Sequence, residues 1–227
     1  MAFASPAGVL AIFAHPDDAE LICYGTLRKF ATGNSDVKVL ILTNGSNGFS
    51  VSGQVHPQLP AIRRDETIAA LRQVTSSIQF CDFPDGSLIG SADLIGAIET
   101  VVNDGRPDLV ITHFADRTGV DHQDHSAVAR SVRNVCFRKP FVRCLLSGEP
   151  IQPYTDFQPN VFVDITPHFE EKCGALVRHR SQAGRQYLER TFHEARSTRW
   201  ASLANPDPPV GTRYFESFRL EKLVVPA

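Results

Sequence analysis

Short apolar runs alternate with longer stretches whose apolar residues recur every three or four positions, and this alternation extends along most of the chain. The runs predict strands over 9–14, 37–43, 76–81, 109–112, 142–146 and 160–164, and the amphipathic stretches predict helices over 19–32, 62–74, 92–104, 125–136 and 167–180. A last extended segment is expected over 214–225. Strand and helix in alternation indicate a mostly parallel sheet with helices on both faces, so the expected fold class is α/β, a single Rossmann-like domain. The 227 residues are enough for one substantial core, and 1–227 is read as one domain. Two segments interrupt the pattern. Residues 54–60, with two prolines and His56, read as a flexible rim in which His56 is solvated, and the proline-rich 204–212 reads as another rim loop.

The turn after the first predicted strand is where a dinucleotide-binding fold would carry G-x-G-x-x-G. Here it reads His15-Pro16-Asp17-Asp18, which argues against a dinucleotide-dependent oxidoreductase. The later Asn44-Gly45-Ser46-Asn47-Gly48 lacks the Lys and Ser/Thr of a P-loop and reads as a loop lining the cleft. The tetrad places an imidazole and two carboxylates where a buried strand stops, and ligand sites in open α/β sheets gather at such strand ends. A second cluster, His122-Gln123-Asp124-His125, follows the predicted strand at 109–112, with His113 at the strand end and Asp116 between. Catalytic zinc takes three protein ligands and leaves a position for water. His15, Asp18 and one histidine of the second cluster meet that need, which leaves Asp17 as a base and the other histidine as an acid. Pro-Asp-Asp before a helix is also an ordinary N-terminal cap, and His122 and His125 taken singly read as surface or helix-start residues. Two such clusters, each at a strand end, favour a shared pocket.

Lysine and arginine number 23 against 25 aspartate and glutamate, so no overall field recruits nucleic acid or an acidic membrane, and a small-molecule partner is expected. The five cysteines, Cys23, Cys81, Cys136, Cys144 and Cys173, are odd in number and form no C-x-x-C pair, which argues against a disulfide framework or a zinc knuckle. The start lacks a basic segment, and no stretch reaches the roughly 18–20 apolar residues of a membrane span. A soluble, cytoplasmic protein is expected.

At this point the residues resemble a known family, the PIG-L/LmbE-like zinc-dependent N-deacetylases. The opening Ala14-His15-Pro16-Asp17-Asp18-Ala19-Glu20-Leu21, followed by Gly25-Thr26-Leu27, is similar to the family's first signature, and Asp121-His122-Gln123-Asp124-His125 to its second. Supporting similarities are Arg63-Arg64-Asp65-Glu66, Phe83-Pro84-Asp85-Gly86-Ser87-Leu88, Phe162-Val163-Asp164-Ile165-Thr166, the Lys172 helix ending in His179-Arg180-Ser181-Gln182, and Phe215-Glu216-Ser217-Phe218. The resemblance implies that His15, Asp18 and His125 bind zinc, with other divalent ions such as Fe2+ also suited to a His/Asp set. It implies that Asp17 is the general base, that His122 is the second acid/base residue, and that Arg63 and Asp85 contact the sugar. Asp124 is then either a carboxylate orienting a ligand or catalytic histidine or the N-cap of the following helix. Two departures stand out: Tyr24 puts a ring where the family often has a small residue, and the loop 114–121 is longer than the usual spacer.

The activity implied is a metal-dependent hydrolase that removes an acetyl group from an N-acetylated amino sugar. An amidase cleaving another amide of a sugar–amine or natural-product conjugate is the alternative, and a non-catalytic sugar-binding module is disfavoured because the whole set is present. Zinc lowers the pKa of bound water toward about 7, Asp17 accepts the proton and passes it to the amine, and a protonated His122 is expected to hold the oxyanion. A homo-oligomer is compatible with the resemblance.

Overall fold

The computed structural model describes residues 6–48, 56–152, 155–204 and 211–225; parts of both expected rim segments, 54–55 and 205–210, lie outside the described residues, and His56 is exposed. Strands β1 (Gly8–Phe13), β2 (Asp36–Thr43), β3 (Ile78–Phe83), β4 (Leu109–His113), β5 (Cys144–Gly148), β6 (Val161–Asp164) and β7 (Phe215–Leu223) form one sheet in the order β3-β2-β1-β4-β5-β7-β6. The first five in that order pair in parallel, and β7 runs antiparallel to both its neighbours. The helices are α1 (Asp18–Thr32), α2 (Leu59–Leu71), α3 (Ala92–Gly105), α4 (Gln123–Phe137), α5 (Phe169–Leu176), α6 (Arg190–Thr198) and the single turn α7 (Ala201–Ala204).

The two-residue period of β1 sets the layers. Val9, Ala11 and Phe13 join a buried cluster with Leu71 of α2 and Leu176 of α5. Leu10 and Ile12 point the other way into a cluster with Ile98 of α3 and Val132 of α4. A strand buried on both faces shows an unbroken apolar run in sequence rather than alternation. Strands β2 and β3 lie to one side of β1, and β4 and β5 to the other. The carboxyl ends of β1 and β4 therefore flank the point where the winding reverses, the crevice at which ligands bind in such sheets.

Several boundaries differ from the sequence expectation. Strand β3 runs two residues later than 76–81 because it pairs Ile78 with Val39 and ends at Phe83 beside Thr43. Strand β5 is likewise displaced, its register placing Gly148 opposite His113. Helix α2 starts at Leu59, with Pro60 in the first turn, where a missing N–H costs nothing. Only Phe169–Leu176 of the expected 167–180 helix is α-helical, with 3-10 turns at Thr166–His168 and Arg180–Gln182. Helix α6 was not expected, because its buried residues are His193, Arg196 and Ser197 and carry no apolar period. Tyr24 is buried in the first cluster, and its hydroxyl lies 3.3 Å from Gln73 Oε1. The five cysteines are free, and among the described residues no helix is long and apolar enough to cross a membrane.

Helix α1 is kinked at Cys23 (φ −142°, ψ 18°). In a regular helix Gly25 N–H would donate to Leu21 O. Here Gly25 and Thr26 N–H donate to the Glu216 carboxylate of β7 at 3.0 and 2.7 Å, and Leu21 O accepts from Lys172 Nζ of α5 at 3.0 Å. Lys172 and Glu216 bond each other at 2.7 Å. A buried ion pair thus occupies the break in the helix and holds its first turns, which carry Asp18, at the end of β1.

Candidate active site

The loop leaving β1 places Asp17 at the N-cap position of α1 with φ 114° and ψ −25°, and its side chain makes no cap hydrogen bond. A left-handed backbone at a non-glycine residue costs on the order of 1–3 kcal/mol and persists only where the surroundings hold it. Strain there turns the carboxylate toward Arg63, whose Nη2 lies 3.3 Å from Asp17 Oδ2. The side chain therefore does not act as the ordinary cap that the tetrad alone allowed.

His15, Asp18 and His125 come together from two places in the chain, the turn after β1 and the first turn of α4. His15 Nδ1 lies 3.3 Å from Asp18 Oδ2 and 3.2 Å from His125 Nε2, and His125 Nε2 lies 3.4 Å from Asp18 Oδ1. A tetrahedral ion with bonds of about 2.0–2.1 Å requires donor atoms about 3.3 Å apart. Both imidazoles are anchored on their far sides: His15 Nε2 lies 3.2 Å from Asp124 Oδ2 and 3.1 Å from Asp85 Oδ1, and His125 Nδ1 lies 3.0 Å from Asp121 Oδ1. An N–H held on the outer nitrogen leaves a lone pair on the inner one, the arrangement that metal-binding imidazoles adopt.

The electrostatics also call for a cation. Asp17, Asp18, Asp85, Asp121 and Asp124 lie around this point, and Arg63 faces two of them, Asp17 at 3.3 Å and Asp85 at 3.8 Å. Burial opposes a charge on His125, yet Asp18 and Asp121 raise its pKa to about 9. Burial likewise opposes the His15 cation, but hydrogen bonds to Asp124, Asp18 and Asp85 hold its pKa well above the usual histidine value. Burial disfavours ionised Asp18 as well, and the charge of His125 outweighs it, keeping that carboxyl well below the usual range. A divalent ion supplies the same compensation in place of the protons. Donor set, spacing and charge all fit a metal.

His122 lies on the cavity wall, its ring edge-on to His15 at 4.7 Å. It is also the N-cap of α4, with Nδ1 accepting from Asp124 N–H at 3.2 Å. Nδ1 therefore lacks a proton, and the neutral ring carries its hydrogen on Nε2. Burial, followed by the charges of His15 and His125, lowers the His122 pKa. The protonated imidazole expected from the sequence is thus replaced by a neutral N–H donor. Asp124 has no capping role. Its carboxylate accepts Gly86 N–H at 2.7 Å and Leu88 N–H at 2.9 Å while facing His15, so it ties the Pro-Asp-Gly turn to the site.

Arg63 and Asp85 both line a cavity of about 700 Å³ that opens from this cluster. Arg63 is buried and donates to Pro16 O at 2.6 Å and Gly45 O at 3.0 Å, so it is no solvated helix-start residue. Gly45 has φ +67°, and a Cβ there would meet the Arg63 guanidinium at 2.8 Å. Asp85 accepts Asn47 N–H at 3.0 Å.

Three contributions were missed in sequence. His113 stacks on His125 at 4.0 Å with planes 8° apart. Its Nε2 accepts Ala14 N–H at 3.0 Å, and burial with the His125 charge lowers its pKa to about 4, so it is a neutral wall. Asp121, which immediately precedes His122, holds His125. Gln182, Arg185 and Tyr187 line the cavity from the segment after α5. The His179-Arg180-Ser181-Gln182 similarity marked this region without giving it a role.

The PIG-L model, described as GlcNAc-PI de-N-acetylase, matches residues 10–136, more than half of the 227. The diacetylchitobiose deacetylase of Thermococcus kodakarensis is 31% identical over 77% of this chain and 69% of its own length. The uncharacterized deacetylase YaiS of Escherichia coli (strain K12) is 30% identical over 77% of this chain and 91% of its own. Among solved structures, GalB, the 4-carboxy-2-hydroxymuconate hydratase of Pseudomonas putida KT2440, superposes with a TM-score of 0.80 at 20% identity, covering 97% of this chain and 98% of that one. That last likeness speaks for the fold alone, whereas the family model spans the strands and loops that carry both histidine clusters, and on that ground the chain belongs to the PIG-L (LmbE-like) deacetylase family.

Proposed function

We propose that this protein is a zinc-dependent N-deacetylase that hydrolyses the acetamide of a small N-acetylated amino-sugar conjugate. The observation that carries the reading is the convergence of His15 Nδ1, Asp18 and His125 Nε2 at 3.2–3.4 Å beside the cavity, with Asp17 on the same loop as two of them. His15, Asp18 and His125 would hold the metal. When bound, zinc supplies Lewis acidity toward a water molecule and the acetamide carbonyl.

The remaining steps fall to the side chains. Asp17 takes the proton of the attacking water. Burial raises its pKa and Arg63 counters that rise, leaving a carboxylate basic enough to accept a proton and acidic enough to return it to the departing nitrogen. His122 donates its Nε2–H to the carbonyl oxygen as charge develops there. A neutral donor already in place needs no reorganisation at the transition state. Asp85 retains acceptor capacity beyond its bonds to His15 and Asn47, and we assign it and Arg63 to sugar hydroxyls. The names of the relatives support this substrate class: one acts on diacetylchitobiose, and the Bacillus cereus protein, 28% identical, is a probable N-acetyl-α-D-glucosaminyl L-malate deacetylase.

The test is amine release from a panel of N-acetylglucosamine conjugates by metal-stripped protein restored with zinc, beside Asp17→Ala. Zinc-dependent turnover that disappears in the variant is expected. Stoichiometric zinc binding with no amine released from any conjugate would reject the deacetylase.

A further inference from the structure

The loop joining β4 to α4 is built around one carboxylate that takes no part in the reaction described above. Asp116 is 3% exposed. Its Oδ1 accepts Thr118 N–H at 3.0 Å, and its Oδ2 accepts Val120 N–H at 3.0 Å and Asp121 N–H at 3.2 Å. The Thr118 hydroxyl lies 2.8 and 2.9 Å from the two oxygens. The chain closes around this acceptor through Gly119 at φ +75°, and Ser126 Oγ of α4 donates to Asp116 O at 3.4 Å, fastening the loop to the helix.

The last amide gathered belongs to Asp121, whose carboxylate receives His125 Nδ1 at 3.0 and 3.2 Å. Two hydrogen-bonded steps therefore connect Asp116 to the imidazole. The direction of the Asp121 side chain follows from where its amide is pinned, and the Nδ1–H bond in turn decides that the neutral His125 imidazole, the form that binds a metal, presents its Nε2 lone pair toward Asp18 and His15. Only an acceptor with two anionic oxygens can serve three amides and a hydroxyl at once. An asparagine would turn an NH2 group against one of these donor pairs.

We infer that Asp116 is a positioning residue of the metal site, acting through the 118–121 backbone and Asp121 to fix the tautomer and aim of His125. The inference rests on His125 being a metal ligand.

Zinc dissociation constants of the full chain, measured by competition with a chromophoric chelator, test it. Outer partners of metal-bound histidines are worth roughly 10–100-fold in affinity. Asp116→Asn is expected to weaken zinc about tenfold, Thr118→Val to weaken it less, and Asp116→Asn/Asp121→Asn to bind no more weakly than the worse single variant. A general loss of fold would not produce that non-additivity. If Asp116→Asn does not fold, Thr118→Val must still weaken zinc. Wild-type affinity in Asp116→Asn, wild-type affinity in Thr118→Val in that case, or fully multiplying effects of the two aspartate changes would overturn the role of Asp116. His125→Ala with unchanged affinity would overturn the metal-ligand reading and this inference together.

Discussion

Replacing Lys172 with methionine tests whether the break in α1 is held by a buried ion pair. Lys172 is 1% exposed, and its Nζ lies 2.7 Å from Glu216 Oε1 and 3.0 Å from Leu21 O. Methionine fills most of the volume but removes the charge and both bonds. Glu216 would then sit buried with two backbone N–H donors and without the cation bonded to it. Removing one partner of a buried pair costs about 3–5 kcal/mol. For a chain of this size each kcal/mol lowers Tm by roughly 2–4 °C, so Lys172→Met should melt on the order of 6–20 °C below wild type. Lys172→Met/Glu216→Gln should recover part of the loss, because the stranded charge is gone, with a coupling of about 0.5–3 kcal/mol in the cycle. Thermal unfolding of wild type, Lys172→Met, Glu216→Gln and the double variant, followed by circular dichroism, reads this. A Tm drop below about 2 °C, or strictly additive changes, would refute the argument that the pair bridges the kink. Because the first turns of α1 carry Asp18 and follow Asp17, kcat/KM of Lys172→Met should fall further than the unfolded fraction accounts for.

Two other expectations concern the site. With φ 114° at Asp17, Asp17→Gly should be more stable than Asp17→Ala by about 1–2 kcal/mol, although glycine normally loses to alanine; denaturant melts giving the opposite order would show that the backbone there is unstrained. Metal binding should also release protons. His125, with a pKa of about 9, and His15, raised well above the usual value, favour their charged forms in the metal-free protein at pH 7, whereas metal ligation requires neutral imidazoles. The inner nitrogens, His15 Nδ1 and His125 Nε2, both face Asp18 at 3.3–3.4 Å, and a proton held there must leave before the ion can bind. Zinc affinity should therefore rise as pH increases toward 9, the proton being the competitor. Calorimetry in buffers of different ionisation enthalpy counts the release, and pH-independent affinity without proton release would contradict the charge balance described.

Much of the fold was legible because apolar period reports burial directly. The run 9–14 and the stretch 92–104 bury side chains in the way their patterns imply, and β1 and α3 lie within a residue or so of those limits. Helix α6 was illegible for the converse reason, since its buried face is polar: His193 Nε2 bonds Tyr187 O at 2.7 Å, and Arg196 faces Glu149 at 3.7 Å. The residues of the site could be nominated from two clusters at strand ends, since strand ends are where such sheets bind ligands.

What each nominated residue touches was not legible. In sequence Asp124 reads equally as a cap or a histidine partner, and the Pro84-Asp85-Gly86 turn folded onto it decides between them; His122 reads as a cationic acid, whereas its Nδ1 receives Asp124 N–H. The layered α/β architecture and the candidate donors can be read from the chain alone, because burial period and side-chain chemistry are properties of short segments. The tertiary structure alone decided the tautomers of the histidines, the strain at Asp17 and the clamp on α1, because each depends on a hydrogen bond between residues that are close only once the sheet has formed.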